Sequence, residues 1–317
     1  MMFSRRRLLL NSGGEVYPAL IFTEVEIGGL NPTSDEDIIH VVYSNELKRK
    51  NTISAEDIPD DLEHDSGLCV IIGEGIKKIA QDACRGKYDL TEISVPTTLE
   101  VIEQNAFAFS YIAGLVGLEN SKVRSIGGGA FRNCPYLYSL YCPNTLITLG
   151  SVYDSGLKKS VGPFYSTSVH NLTLGNSLYN VPSYCFYGGN TQVILPDSVR
   201  SLSPNCFRYT FYNGEIRIPD GVTYIPDNAF YQSSFSKIIL GNNVGNIGSY
   251  AFAYWAQHSN NTYILKCYTT TPPICYSNTF YNCLASRLEV PANAVSAYQN
   301  DSIWGTYFFN KIYAIEE

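Results

Sequence analysis

The sequence predicts a mainly β repeat solenoid. The expected form is a right-handed coil with a parallel sheet, built from about ten units of 21–32 residues behind a small N-terminal segment. Three observations lead there. An Ala-Phe or Cys-Phe pair returns at a near-constant interval, in VIEQNAF, SIGGGAF, NVPSYCF, SLSPNCF, YIPDNAF and NIGSYAF. A short β-prone run ending in Pro or Gly returns in step with it, as VIIG, ISVP, LTLG, VILP, IRIP, IILG and LEVP. Between the two lies an aliphatic pair three residues apart, as in Leu99/Ile102, Val123/Ile126, Val199/Leu202, Val222/Ile225 and Val244/Ile247. A fixed period of this length marks stacked units that bury a common interior only together.

The strand comes first in each unit. With the degenerate members LVGLE, LYCP and ILKCY, the punctuating residues are Gly73, Pro96, Glu119, Pro143, Gly175, Pro196, Pro219, Gly241, Tyr268 and Pro291. Their spacings are 23, 23, 24, 32, 21, 23, 22, 27 and 23. Side chains alternate along a strand, so the two aliphatic residues of I-x-I-P face inward and their neighbours outward. This reading places Glu92/Ser94, Leu115/Gly117, Ser139/Tyr141, Asn171/Thr173, Gln192/Ile194, Glu215/Arg217 and Lys237/Ile239 on an outer ladder.

The Ala-Phe element closes each coil. A small Ala or Cys lets coils approach, and the Phe fills the interior, contributing roughly 1.5–3 kcal/mol. Phe107, Phe131, Phe186, Phe207, Phe230 and Phe252 share this slot; Pro163-Phe164 and Thr279-Phe280 are weaker members, and Ala83-Cys84 is a candidate first one. The slot also explains SIGGGAF. Gly127, Gly128 and Gly129 stand where other units carry Glu-Gln-Asn, Pro-Asp-Asn or Gly-Ser-Tyr. A phosphate-binding loop needs a following helix and a Lys-Ser/Thr pair, whereas RNCPYLYSLYCP follows here. The glycines belong to a turn.

Residues 1–66 lack the repeat grammar and are read as a capping and attachment segment, 67–290 as the solenoid, and 291–317 as a C-terminal cap. Residues 1–66 hold six Lys/Arg and thirteen Asp/Glu, a net of −7, which is the formal charge of the whole chain. The neutral remainder offers no electrostatic footprint for nucleic acid. Arg5, Arg6 and Arg7 are candidate attachment residues for an acidic partner: other virion proteins or further copies of the chain. The three leucines after them are too few for an export signal, and no run reaches the roughly 18 apolar residues of a membrane span.

The solenoid residues SIGGGAFRNCPYLYSLYCPNTLITLG and IRIPDGVTYIPDNAF resemble the BspA-type leucine-rich repeats of surface proteins from anaerobic bacteria and some protists. The resemblance covers about residues 68–317. LEVPANAVSAYQNDSIWGTYFFNKIYAIEE is similar to the closing cap of that family, with Trp304, Phe308, Ile312 and Ile315 expected to cover the last coil. It implies non-enzymatic adhesion to proteins or glycans and carries no catalytic motif.

The residues agree. His40, His64, His170 and His258 show no metal-ligand spacing, no serine has a G-x-S-x-G context, and no cofactor motif appears. The nine cysteines form no C-x-x-C pair, and Cys84, Cys185 and Cys206 occupy repeat slots. Structural thiols are therefore expected rather than a disulfide framework. Candidate binding residues lie on the outer ladder, namely Tyr141, Asn171, Thr173, Gln192, Arg217 and Lys237, and in the insertion SVYDSGLKKSVGPFYSTS, which carries Tyr153. The 27-residue unit, with YWAQHSNNTY, is the other long coil. The function expected is recognition of a host surface glycan or protein, by a fibre or tail-associated component of a phage virion assembled in the cytoplasm. The alternatives are a bacterial cell-surface adhesin with atypical export and a purely structural spacer.

Overall fold

A computed structural model describes residues 8–10, 38–42, 51–58, 68–255 and 263–316. The repeat produces three walls per coil. The first is the I-x-I-P strand. Parallel strands from Leu8–Leu10 to Val193–Ile194 form an eight-stranded sheet, and Glu215–Arg217, Lys237–Leu240, Ile264–Cys267, Arg287–Val290 and Ile312–Ala314 form a five-stranded one. The second wall is built from the end of the aliphatic pair. Its strands are two residues long, among them Val101–Ile102, Ser125–Ile126 and Ser201–Leu202, and they too are parallel, in sheets of seven and three. The sequence marks this element only as an aliphatic pair.

The third wall is the Ala-Phe turn. It contains two left-handed backbone positions per coil. One precedes the Ala-Phe pair, as at Asn105 (φ 52°), Asn205 (φ 63°) and Asn228 (φ 56°). The other lies two residues after the Phe, as at Phe109, Asn133, Tyr209 and Gln232. Asparagine tolerates this region better than most residues, which explains its frequency before Ala-Phe. The alternating backbone turns every second N–H along the coil axis. Asn205, Phe207 and Tyr209 donate to the carbonyls of Asp227, Ala229 and Tyr231 at 3.1, 2.9 and 3.0 Å, while Arg208 and Thr210 donate back within their own turn. All three walls are thus hydrogen-bonded from coil to coil.

Within SIGGGAF, Gly129 takes the left-handed position (φ +67°), and a Cβ at Gly128 would lie 2.2 Å from the Val152 nitrogen. One glycine answers to backbone conformation and its neighbour to the close approach of the next coil.

The core is a continuous stack. Phe107, Phe131, Phe164, Phe186, Phe207, Phe230, Phe252 and Phe280 are all buried. Successive ring centroids are 5.2–5.7 Å apart and the planes lie within 10° of parallel, an offset arrangement that aromatic quadrupoles favour. Phe164 and Phe280, the weaker members in sequence, are full members of the stack. Cys84 occupies the slot below Phe107 and is buried.

Both sheets are interrupted at one junction. No strand pairing joins Val193–Ile194 to Glu215–Arg217, or Ser201–Leu202 to Tyr224–Ile225. In the second wall one bond of this junction is excluded chemically. Ser203 N–H bonds the Val181 carbonyl and Gly248 N–H bonds that of Ile225; the equivalent residue between them is Pro226, which has no N–H to donate. The third wall and the Phe207–Phe230 contact carry this junction.

At the C-terminal end the helices Val295–Asn300 and Trp304–Tyr307 fold over the last coil. Trp304 and Phe308 are buried against Phe280, and the Trp304 indole donates to the Pro273 carbonyl at 2.9 Å. Ile312 is buried, Ile315 is only half-buried, and Tyr298 is a fully buried member of this cap that the sequence did not mark. At the other end Ile38–Val42 pairs with Leu68–Ile72, setting residue 40 opposite Val70 and residue 42 opposite Ile72, and Thr52–Ile53 pairs with Lys78–Ile79. Strand pairing therefore runs on into the segment that lacks the repeat grammar.

Candidate recognition surface

The outer face of the first wall brings six of the seven candidate binding residues together. Strand register sets Ser139 beside Asn171 and Tyr141 beside Thr173, then Thr173 beside Ile194. After the junction Glu215 lies beside Lys237 and Arg217 beside Ile239. Tyr141, Asn171, Thr173, Gln192 and Arg217 are exposed and Lys237 half-exposed, while the residues between them on each strand are buried. The face carries both signs of charge. Lys237 pairs with Glu215 at 3.1 Å, and Arg217 lies 3.4 Å from Asp197 and 3.6 Å from Asp220. Exposed pairs of this kind contribute about 0–1 kcal/mol each; their consequence is to hold long side chains in place along the ladder.

Two steps of the expected ladder are corrected. Ile239 keeps its expected register beside Arg217 but is buried. In LVGLE the strand is Gly114–Val116, and Leu115 is buried opposite Ile93. Gly114 and Val116 hold the places expected for Leu115 and Gly117. This strand lacks a clean I-x-I-P pattern, and Ile112, Leu115 and Leu118 are all buried, so apolar content alone does not fix its register.

Tyr153 does not join this face. It stands 65 % exposed on an antiparallel hairpin, Val152–Asp154 with Lys159–Val161, formed by the insertion of the 32-residue unit. Two cations clamp the hairpin to the stack. Asp154 pairs with the largely buried Arg132, and the Leu157 N–H and the Arg132 guanidinium hold its carboxyl below the usual range. The Lys159 ammonium sits 4.2 Å from the Tyr187 ring centroid and 5.1 Å from those of Tyr165 and Tyr184, within cation–π range. Arg5, Arg6 and Arg7 lie outside the described residues, as do residues 256–262 of the other long coil.

A second feature escaped the sequence reading. Tyr165, Tyr187, Tyr209, Tyr231, Tyr254 and Tyr281 form a ring-to-ring file outside the phenylalanine stack, with Arg208 wedged against Tyr209 and Tyr231. The available signal was a Tyr one or two residues after the repeated Phe.

Cys84, Cys134, Cys142, Cys185, Cys206, Cys267, Cys275 and Cys283 are free thiols. Burial pushes Cys84, Cys134 and Cys142 up to about 12 and moves Cys185 and Cys206 in the same direction. Such thiols are poor nucleophiles and poor metal ligands at neutral pH. His170 stacks on Tyr138 with centroids 5.0 Å apart. Among the described residues no group of three or more His, Cys, Asp or Glu side chains is placed to hold a metal ion, and no helix is long and apolar enough to cross a membrane.

These features define a parallel-strand repeat solenoid that displays a ladder of side chains. The chain belongs to the BspA-type leucine-rich repeat family, whose region model matches residues 68–159 and 160–285 in six copies. Solved structures with a similar fold include a leucine-rich cell surface protein of Faecalibacterium prausnitzii, with 17 % identity, 80 % of this chain and 81 % of that one covered, and a TM-score of 0.40. A leucine-rich repeat protein of Bacteroides ovatus has 18 % identity, coverage of 79 % and 78 %, and a TM-score of 0.35. The pneumococcal vaccine antigen PcpA has 17 % identity, coverage of 82 % of both chains, and a TM-score of 0.35. A search of curated proteins finds no match to the sequence.

Proposed function

We propose that this chain is a non-enzymatic recognition and adhesion protein. Its solenoid presents the outer first-wall face to a host surface glycan or protein, and residues 1–66 attach it to a larger assembly. The observation that supports this reading is the face itself. Exposed polar, apolar and charged side chains run in register along two paired stretches, from Ser139 to Ile194 and from Glu215 to Ile239, and the third wall continues across the junction between them. A surface held rigid before contact loses little entropy on binding, and repeat arrays supply extended surfaces of this kind.

The finer form of the proposal places the chain on a phage virion as a tail-associated or fibre component, with Arg5, Arg6 and Arg7 meeting an acidic partner. A bacterial cell surface is the alternative setting. The test uses labelled full-length chain on host cells, compared with Arg217→Glu and Lys237→Glu. Both changes lie on the outer face, so melting should hold while adhesion falls at least about tenfold. Undiminished adhesion by both variants would remove the outer face from the proposal. An antibody against the chain separates the settings, by labelling either purified particles or intact cells. Removing residues 1–30 should leave a folded solenoid that no longer joins its assembly; co-purification of that truncated chain would refute the attachment role.

A further inference from the structure

We infer that a groove at the C-terminal ends of strands Lys237–Leu240 and Ile264–Cys267 is a binding site for a neutral saccharide. This rests on the recognition reading above and names a ligand class and a place for it.

The groove arises from one extra residue. From Pro219 to Ile225 and from Gly241 to Ile247 the chain takes six steps, but from Tyr268 to Cys275 it takes seven. The longer loop, Thr269–Pro273, stands off from Asn242–Gly245 of the previous coil and leaves a cleft of about 450 Å³. A Cβ at Gly245 would meet nothing within 4 Å, so the floor is open. The loop is held from behind by the C-terminal cap. The Thr269 hydroxyl bonds the Tyr298 hydroxyl at 2.7 Å, and the Pro273 carbonyl accepts the Trp304 indole N–H at 2.9 Å.

The lining decides the ligand class. It contains no Lys, Arg, Asp, Glu, His or Cys, which disfavours an anion, a cation or a metal. Its amides are also pre-aimed. Asp220 accepts the Asn242 backbone N–H and Nδ2 at 3.0 Å each, and its own carbonyl accepts Asn243 Nδ2 at 2.9 Å. A carboxylate and a carbonyl only accept, so both NH2 groups must face Asp220. The two Oδ1 atoms are left as acceptors without a partner among the described residues. The exposed hydroxyls of Thr270 and Thr271 add two groups that both donate and accept. Beside them the Tyr268 ring, with the Lys266 ammonium 5.1 Å from its centroid, remains 39 % exposed, and Ile274 is 72 % exposed. Fixed acceptors, free hydroxyls and a partly exposed aromatic ring match a sugar's rim of hydroxyls and its C–H face, and Lys266 stands beside the ring rather than in the lining.

The experiment titrates the full-length chain with methyl glycosides and short oligosaccharides, followed by saturation-transfer NMR. The panel pairs neutral hexoses and N-acetylhexosamines with sialylated and sulfated counterparts. Neutral members should bind at millimolar concentration or below, and Tyr268→Ala should weaken them at least about tenfold with the melt unchanged. If Tyr268→Ala shifts the melt, the Thr270→Val/Thr271→Val double variant decides in its place. The inference fails if no member binds at millimolar concentration, if the deciding variant binds as the parent does, or if charged members bind more tightly than their neutral counterparts. The titration stands apart from cell adhesion. Adhesion lost on Arg217→Glu but kept on Tyr268→Ala, with no sugar bound, would sink the groove and leave the outer face intact.

Discussion

Phe207→Ala probes the stack at a fully buried member. The ring is fully buried, lies 5.3 Å from Phe186 and 5.2 Å from Phe230 in near-parallel planes, and meets Phe235 edge-on at 5.9 Å. Truncating a core Phe typically costs about 3–5 kcal/mol through lost burial and the cavity left behind. The neighbouring rings are held by their own coils and cannot close that cavity, so the upper half of the range is expected. In urea, a loss of about 4 kcal/mol moves the midpoint of the full chain down by roughly 1–2 M. Phe211→Ala is the control, because that ring is 55 % exposed and a surface change of this kind stays within about 0.5 kcal/mol. A double-mutant cycle with Phe186 should return a coupling of about 0.5–1.5 kcal/mol, the value of one stacked ring pair. If Phe207→Ala costs no more than Phe211→Ala, the stack is not what holds the coils together.

Other outcomes follow from the same geometry. Cys142, with its thiol pushed up to about 12, is about one part in ten thousand thiolate at pH 8; with Cys185 and Cys206 it should resist alkylation until denaturant is added, and rapid native labelling would contradict this. The raised thiols are protonated in both folded and unfolded chains below about pH 9 and ionise first in the unfolded chain above it. Stability should therefore hold up to about pH 9 and fall between there and about 12, as urea midpoints across that range will show. Gly128→Ala should cost about 1–3 kcal/mol by forcing a Cβ against Val152, whereas Gly245→Ala, with open space around it, should be neutral in the same melt. Deleting residues 151–160 leaves the largely buried Arg132 without Asp154 and should lower the midpoint of a still cooperative melt while partner binding by the outer face persists; affinity lost with the fold intact would bring the Tyr153 hairpin into the contact.

Much of the architecture was legible because the repeat reports burial directly. An aliphatic residue at every second strand position and a Phe at one fixed slot specify which side chains face inward, and the outer ladder from Ser139 to Lys237 follows from that alternation. LVGLE misled by one residue because its apolar residues do not alternate with polar ones. The second wall was read as an aliphatic pair since two-residue strands owe their existence to neighbouring coils. The groove was invisible for a related reason. Asn242 and Asp220 are 22 residues apart, and no local pattern shows that the amide of one is turned by the carboxylate of the other.

The interrupted junction has a mechanical consequence. Bonds that run along the axis of a rod are loaded together when the rod is pulled from its ends, and the junction with the fewest of them yields first. Here that place lies between the coils of Phe207 and Phe230, where neither sheet is continuous and Pro226 cannot donate. The described coils form two sheet-paired segments, joined at this seam by the third wall, the Phe207–Phe230 contact and the Arg217–Asp197 pair. Tension on an anchored copy would concentrate at this seam, and the segment bearing the Tyr268 groove would part from the rest as a unit before either segment unravelled.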